Sequence, residues 1–183
     1  MEVIQTKIEG LLVLKPRKFE DDRGYFFESF NQSQFDEIVG KKVRFVQDNE
    51  SKSKKNVLRG LHFQLPPFAQ GKLVRVSQGS VFDIAVDLRK NSPTYGQWHG
   101  EHLSEENGNI FWIPEGFAHG FVALEENTKF LYKCTNTYSP TSEQTLQWND
   151  PTLAINWNID NPIVSEKDKK GILLNDFISP FQL

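Results

Sequence analysis

The sequence predicts a mainly β protein, an antiparallel sandwich or jelly-roll barrel with a few short peripheral helices. Short apolar stretches recur between turns rich in Gly and Pro, and long helical periodicity is almost absent. Phe and Trp are abundant, with 15 and 4 copies, whereas Met occurs once. Rigid aromatic side chains of this kind favour strands over a helix bundle. The 183 residues predict one domain, 1–183, with an irregular and partly helical tail from about residue 140.

Charge and cysteine content argue against several functional classes. The 21 basic and 24 acidic side chains give a net charge of −3, without a basic run typical of a nucleic-acid-binding tail. No apolar stretch approaches the roughly 18 residues that a membrane span needs. Cys134 is the only cysteine, and the chain begins Met-Glu-Val-Ile rather than with a basic and then apolar leader. We therefore expect a cytoplasmic protein that binds neither membranes nor nucleic acid.

The first third of the chain predicts strands, a turn and one helix. Residues 11–14 form an apolar strand that a proline ends, and residues 20–24 form a turn before an aromatic strand at 25–30. Within this region Arg23 and Glu28 are polar groups beside apolar neighbours, and a solvated loop arginine and an outward carboxylate are their simplest interpretation. Residues 33–40 predict a short helix, with Ser at its start and Gly at its end.

A second apolar stretch, at residues 43–46, predicts a strand that runs into three polar side chains. Gln47, Asp48 and Asn49 have the hydrogen-bonding groups to bind a ligand, and they are equally suited to closing a turn. The polar, lysine-rich residues 51–56 predict a loop.

Residues 57–64 are apolar but include Arg59 and His62, which makes them the central candidate for a site. Burying either side chain unpaired costs about 1–3 kcal/mol or more. A histidine can accept a proton near neutral pH, and an arginine can bind an anion; a structural histidine beside a surface arginine is the alternative. Strict alternation puts the two side chains on opposite faces, unless Gly60 marks a bulge or the anion binds at the strand end.

The middle of the chain predicts further strands at residues 72–77, 81–88, 98–103, 110–113, 117–124 and 129–134. Lys72 lies on the same apolar face as Val74 and Val76. It could be a rim residue that keeps its ammonium group in water, or an electrophile placed in a pocket. Residues 81–88 predict a half-buried strand with one apolar face, so that Asp83 and Asp87, on the other face, would point to solvent. His119 and Tyr132 both fall on apolar faces, and an inward tyrosine hydroxyl needs a partner.

The four histidines do not have the spacing of a compact metal site. His62 is followed two residues later by Gln64 rather than a second ligand, and His99 and His102, three apart on a strand, point to opposite faces as surface residues. Neither a phosphate-binding glycine loop nor a nucleophile elbow is present. The remaining His, Tyr, Lys and Arg side chains suit proton abstraction next to a carbonyl.

Several motifs together resemble one family closely. They are DRGYFFE at 22–28, QDN at 47–49, LRGLHFQ at 58–64, QGKLVRV at 70–76, IPEGFAHGF at 113–121, YKCT at 132–135, Tyr138 and Lys167-Asp168. In this order they resemble the dTDP-4-dehydrorhamnose 3,5-epimerase family, from about residue 12 to at least residue 168. The resemblance implies a cupin-type antiparallel jelly-roll barrel, a homodimer with exchanged strands, and neither metal nor cofactor. Tyr25, Phe26, Phe27 and Phe30 would suit the dimer interface.

The same resemblance implies a role for each site residue. His62 would remove protons at C3 and C5 of dTDP-4-dehydro-6-deoxy-D-glucose, Asp168 would support it, Lys72 would stabilise the enolate, and Tyr132 would reprotonate the opposite face. Residues 165–168 also predict a capping box for a short helix near residues 169–174, and both roles can hold for Asp168. The implied substrate-binding residues are Arg23 and Arg59 for the diphosphate, Tyr138 for thymine, and Glu28, Gln47, Asp48, Asn49, His119, Glu143 and Lys167.

Three alternative functions remain open from the sequence. A related enzyme that inverts only one carbon shares most of these residues. A nucleotide-sugar-binding module could keep the barrel without catalysis, and a metal-dependent cupin oxygenase could keep the fold with a different chemistry.

Overall fold

The computed structural model describes residues 1–183 as two facing β-sheets, which confirms the predicted mainly β jelly roll. The first sheet has the order β1 (Glu2–Gln5), β2 (Leu12–Lys15), β10 (Ile110–Ile113), β7 (Lys72–Gln78), β12 (Thr128–Cys134) and β5 (Gln47–Ser53). The second has the order β13 (Glu143–Thr145), β6 (Val57–Gln64), β11 (Phe117–Ala123), β8 (Ser80–Asp87) and β9 (Trp98–Ser104), with β14 (Ile163–Val164) parallel to β6.

The remaining elements are short. Strands β3 (Phe19–Asp21) and β4 (Gly24–Phe26) form a separate hairpin, helix α1 spans Gln32–Val39, and two 3-10 helices span Asp168–Lys170 and Leu174–Asp176. The aromatic strand predicted at residues 25–30 therefore ends at Phe26. None of the helices has the length and apolar character required to cross a membrane.

Two layers of apolar packing hold the sheets. Between them, Val74, Ala85, Phe111, Phe121 and Phe130 belong to a cluster of 13 buried side chains. A second cluster covers the outer face of the second sheet, where the C-terminal tail contributes Leu146, Leu153, Trp157, Leu174 and Phe181. The second sheet therefore packs apolar side chains on both faces. Each Å² of apolar surface buried in this way stabilises the fold by about 25 cal/mol.

Strand β8 corrects the prediction that its carboxylates face solvent. Asp83 and Asp87 are completely buried. Strand β8 lies between β11 and β9, and the C-terminal tail covers its apolar face, so the face that carries the carboxylates turns toward the first sheet. Asp83 consequently points between the sheets, on the same face as Val81 and Ala85. A buried carboxylate requires partners, and both residues have them.

Helix α1 begins one residue earlier than predicted and has a different cap. The side chain of Asn31, not Ser33, accepts a hydrogen bond from the backbone N–H of Gln34, while Gly40 ends the helix in the left-handed conformation at φ 74°. Phe35 anchors the helix against Trp112, with ring centroids 5.1 Å apart.

Strand β5 lies where a turn and loop were expected, and the apolar residues 43–46 are not a strand. Val43 and Phe45 instead pack with the α1 cluster. Polar β5 pairs over its whole length with β12. Its alternating half-buried and exposed side chains lack the apolar face that identifies a strand from sequence.

A bulge in β6 interrupts the strict alternation of side chains that would put Arg59 and His62 on opposite faces. Against β11, His62 pairs with His119 and Arg59 with Phe121, so three steps along β6 match two along β11. Gly60 lies at this bulge with φ 142°, and a Cβ there would lie 2.5 Å from the Cα of Gly120. The bulge brings Arg59 and His62 to the same cavity.

Candidate active site

A cavity of about 440 Å³ opens between the two sheets. Strands β5, β7 and β12 form one wall, and β6 and β11 form the other. It gathers most of the residues singled out from the sequence: Gln47, Asn49, Arg59, His62, Lys72, His119, Tyr132, Tyr138 and Glu143.

His62 and Asp168, 106 residues apart in sequence, form a hydrogen-bonded pair at the edge of this cavity. The Nε2 atom of His62 lies 2.7 Å from Oδ1 of Asp168, and the backbone N–H of Gly60 donates to Oδ2 at 3.4 Å. Burial alone would raise the pKa of Asp168, but the hydrogen bonds from His62, Gly60 and Ser165 lower it below its ordinary value. An ionised carboxylate stabilises the imidazolium that His62 forms when its other ring nitrogen takes a proton.

Only the Ser165 half of the predicted capping box forms, because the Asp168 carboxylate bonds to His62 and to the backbone N–H of Gly60. The backbone N–H of Asp168 donates to Oγ of Ser165 at 3.1 Å, at the start of the 3-10 helix that Asp168 begins. The helix is shorter than the one expected near residues 169–174. This local structure fixes the carboxylate behind His62.

Tyr132 and Lys72 face His62 from the first sheet. The Tyr132 hydroxyl has no hydrogen-bond partner in the chain and lines the cavity. Burial and the nearby Cys134 raise the pKa of Tyr132, against the opposing effect of Arg59, so its hydroxyl keeps its proton. Lys72 is buried with Nζ 3.5 Å from the carbonyl oxygen of His62, and burial lowers its pKa.

His119 lies beside His62 and forms a second histidine–carboxylate pair. Its Nε2 atom is 3.0 Å from both carboxylate oxygens of Asp83, and its ring stacks on Phe130 with centroids 5.9 Å apart. Sequence reasoning did not identify Asp83. The available signal was its position in β8 on the same face as the apolar Val81 and Ala85.

Several polar side chains form a hydrogen-bonded network at the mouth of the cavity. The Tyr138 hydroxyl donates to Glu143 at 2.8 Å, and Lys167 forms an ion pair with the same carboxylate. Burial would raise the pKa of Glu143, but Lys167 and Tyr138 lower it. The backbone N–H of Tyr138 donates to the side chain of Gln47. The exposed Tyr138 ring is thereby held at the rim.

Arg59 and Lys167 supply positive charge near His62. Arg59 is exposed and donates from Nε to Oγ of Ser53 at 3.1 Å. Both cations line a neighbouring groove of about 430 Å³ that also includes His62 and Asp168. An anionic group at the cavity mouth would thus meet two cations.

Four predicted substrate contacts do not line the cavity of a single chain: Arg23, Glu28, Asp48 and Lys167, the last of which lines the neighbouring groove. Alternation in β5 directs Gln47 and Asn49 into the cavity, whereas Asp48 points outward to an ion pair with Lys133 at 3.0 Å. Arg23 is 90% exposed in the β3–β4 hairpin and bonds to Asp21. Glu28 is exposed and accepts from Asn31.

The other two histidines take no part in this site. His102 is exposed, but His99 is not the surface residue expected, because its ring lies half-buried 5.6 Å from Phe111. No group of three or more His, Cys, Asp or Glu side chains has the arrangement to hold a metal ion.

Comparison with known proteins agrees with this arrangement. The family model described as dTDP-4-dehydrorhamnose 3,5-epimerase matches residues 5–176. The Salmonella typhimurium protein named dTDP-4-dehydrorhamnose 3,5-epimerase is 59% identical over 96% of each chain. The Legionella pneumophila dTDP-6-deoxy-D-glucose-3,5-epimerase, solved with dTDP-4-keto-L-rhamnose, superposes with a TM-score of 0.93 at 49% identity, over 97% of this chain and 94% of that one. A Streptomyces niveus dTDP-4-dehydrorhamnose 3-epimerase is 38% identical over 91% of this chain and 81% of its own length.

Proposed function

The chain belongs to the dTDP-4-dehydrorhamnose 3,5-epimerase family, and we propose that it converts dTDP-4-dehydro-6-deoxy-D-glucose to dTDP-4-dehydro-L-rhamnose, in dTDP-rhamnose biosynthesis. The reaction inverts C3 and C5, the two carbons next to the 4-keto group. Greater identity to the 3,5-epimerases than to the 3-epimerase favours inversion at both carbons.

His62 is the proposed base for each inversion. Its ring nitrogen takes the proton α to the keto group while Asp168 stabilises the resulting imidazolium. The electron pair moves onto the keto oxygen, and Lys72 stabilises the enolate because its ammonium group is buried in the cavity wall. Low solvent exposure strengthens this charge interaction.

The position of Tyr132 is the single observation that carries the proposal. His62 is on β6 of the second sheet and Tyr132 on β12 of the first, so a base and a protonated acid face each other across one cavity. A base alone returns a proton to the face it left. An acid on the opposite wall delivers it to the other face and inverts the carbon.

The mouth of the cavity fits the nucleotide part of the substrate. Arg59 and Lys167 provide cations for a diphosphate, and the exposed ring of Tyr138 provides a stacking surface for thymine. Gln47, Asn49, His119 and Glu143 line the same cavity and offer hydrogen bonds to the sugar and nucleotide.

The proposal includes a homodimer in which a second copy supplies Arg23 and Glu28. Within one chain these residues lie outside the cavity, on and after a hairpin whose Phe19, Tyr25 and Phe26 are 53%, 56% and 69% exposed. Phe30, in contrast, packs internally against Phe35 and Phe45. An exposed aromatic hairpin carrying an exposed arginine is well suited to a partner site.

We place the enzyme in the cytoplasm. Support comes from Cys134, the sole cysteine, which is a buried free thiol.

Proton NMR in deuterated water tests the reaction directly. With dTDP-4-dehydro-6-deoxy-D-glucose we expect deuterium at both C3 and C5, and conversion to dTDP-rhamnose when a reductase is added. His62→Ala should incorporate none, whereas His102→Ala, which changes an exposed histidine, should match the unsubstituted enzyme. Label at one carbon would identify a single-site epimerase, and binding without label would identify a non-catalytic module.

A further inference from the structure

Asp83 is a buried carboxylate for which the proposed reaction has no role. It has no solvent exposure and lies between the sheets, where an unpaired charge would cost several kcal/mol. Its only hydrogen-bonded side chain is His119. Lys72 is the nearby group of opposite charge, and Glu101 faces Asp83 across the β8–β9 ladder as a group of like charge.

The geometry of the pair indicates which ring nitrogen carries the hydrogen. Both oxygens of Asp83 are 3.0 Å from Nε2 of His119, the arrangement of an N–H that donates to an ionised carboxylate. A protonated carboxyl group would instead donate from one oxygen and shorten that contact. Burial raises the pKa of Asp83, while His119 and Lys72 oppose the rise.

The second ring nitrogen of His119 is then free toward the cavity. Burial lowers the pKa of His119, so the ring is neutral, and Nδ1 has no hydrogen-bond partner in the chain. Stacking on Phe130, which itself stacks on Phe121 at 4.1 Å, fixes the plane of the ring. A neutral imidazole with hydrogen on Nε2 presents Nδ1 as an acceptor only.

We propose that Asp83 is a positioning residue that holds His119 in the Nε2–H tautomer, so that Nδ1 accepts a hydrogen bond from a hydroxyl of the bound sugar. This inference rests on the proposed function, because the sugar is its substrate. Lys72, which has only donors, and His119, which then has only an acceptor on its cavity side, are complementary. A keto oxygen accepts from the first and a neighbouring hydroxyl donates to the second.

The tautomer can be measured without turnover. Two-bond proton–nitrogen NMR correlation of ¹⁵N-histidine-labelled protein distinguishes the two neutral tautomers, and four histidines make assignment by single substitution practical. We expect His119 to show protonated Nε2 and unprotonated Nδ1 in the unsubstituted protein, and Asp83→Asn to lose that single form. Protonated Nδ1 in the unsubstituted protein would overturn the inference, whether or not Asp83→Asn folds.

A double-variant cycle tests whether Asp83 acts through His119. Replacing a residue that orients a functional group typically costs 10–100-fold, so we expect Asp83→Asn to lower kcat/KM by about that factor. In a His119→Ala background the same change should cost less than about twofold, because the group it positions is absent. An undiminished loss there would overturn the inference and assign the effect to Lys72 or to the fold. An inactive unsubstituted enzyme would refute the proposed function but leave the tautomer measurement decisive.

Discussion

At the scale of single residues, the proposed mechanism assigns proton removal to His62 and proton delivery to Tyr132. His62 is paired with Asp168, whereas the Tyr132 hydroxyl has no partner within the chain. The ionised Asp168 carboxylate stabilises the imidazolium that forms once His62 takes a proton, and burial raises the pKa of Tyr132, so its hydroxyl keeps its proton.

Tyr132→Phe should uncouple exchange from inversion. The phenyl ring preserves the cavity wall but cannot deliver a proton, so His62 returns a solvent-exchanged proton to the face it left. We expect deuterium to enter the substrate while inversion falls by about 100-fold or more, within the usual range for a lost general acid. Deuterium NMR measures the first and a coupled reductase assay the second.

Tyr95→Phe is the matched control, since Tyr95 is exposed and outside the cavity. It should change neither rate. If Tyr132→Phe lost exchange and inversion equally, Tyr132 would be required for proton removal, and the division of roles would be wrong.

The sequence predicts a residue of this site correctly when the local pattern of the strand determines which way its side chain points. His119 and Tyr132 fall on apolar faces of regular strands, and both line the cavity. Asp83 was assigned to solvent because alternation does not show that β8 is covered on both faces. The contact of Asp168 with His62 spans 106 residues and was inferred from family resemblance rather than from local pattern.

At the scale of elements, the bulge in β6 determines the geometry of the site. It places Arg59 and His62 on one cavity although three residues separate them along a strand. Its backbone requires glycine for two reasons, since Gly60 has φ 142° and lies against the backbone of Gly120.

Gly60→Ala should destabilise the protein and reduce activity. The new Cβ would lie 2.5 Å from the Cα of Gly120, so the backbone of β6 or β11 must shift. Gly24→Ala is a matched control for backbone strain, because Gly24 has φ 123° but a Cβ added there would meet no atom within 4 Å. We expect Gly60→Ala to lower the free energy of unfolding by about 2 kcal/mol more than Gly24→Ala, as overpacking typically costs 1–3 kcal/mol. Equal losses in urea denaturation would show that contact with Gly120 is unimportant.

Other elements show where local sequence signals are insufficient. In helix α1, Asn31 rather than Ser33 is the N-cap, and because both residue types favour that position, residue type alone does not locate the first residue of the helix. Strand β5 follows no apolar alternation, because its inward face lines a polar cavity rather than the core. Strands with one or two apolar faces, such as β7 and β10, were placed correctly.

Asp87, at the end of β8, should make the stability of the fold depend on pH. Burial would raise the pKa of Asp87, but hydrogen bonds from Arg89, Ser92 and Thr94 lower it. Because its folded pKa is below its unfolded value near 4, the carboxylate stabilises the fold above about pH 4, and this contribution decreases as pH falls toward the folded pKa. Asp87→Asn should therefore cost about 3 kcal/mol at pH 7, since it leaves the buried Arg89 unpaired.

Urea denaturation at several pH values measures this effect. The difference between Asp87→Asn and the unsubstituted protein should narrow progressively below about pH 4. Asp48→Asn, at an exposed ion pair, should cost less than about 1 kcal/mol at pH 7. A deficit for Asp87→Asn that is constant from pH 7 to pH 3 would indicate a packing effect instead.

At the scale of the whole molecule, the open edge of β5 adjoins the site. Strand β5 ends the first sheet, and its Gln47 and Asn49 line the cavity. An unpaired strand edge is a common place for another chain to add. A second copy docking its exposed hairpin there would bring Arg23 to the cavity mouth, where the single chain presents Arg59 and Lys167.

The proposed sharing of the site between two chains predicts complementation between two impaired variants. Arg23→Ala should lower kcat/KM by about 10–100-fold, since a charge-assisted hydrogen bond contributes about 1.5–3 kcal/mol, and His62→Ala should be inactive. In a heterodimer of the two, the cavity that keeps His62 receives Arg23 from the other chain, so one of the two sites is intact. Coexpression with two affinity tags and successive purification should yield heterodimers with about half the activity of the unsubstituted dimer.

The matched control pairs Lys72→Ala with His62→Ala. Both residues line the cavity of their own chain, so each site lacks one of them and the heterodimer should remain inactive. An Arg23→Ala and His62→Ala heterodimer no more active than the mean of its parent homodimers would show that Arg23 does not act across the interface.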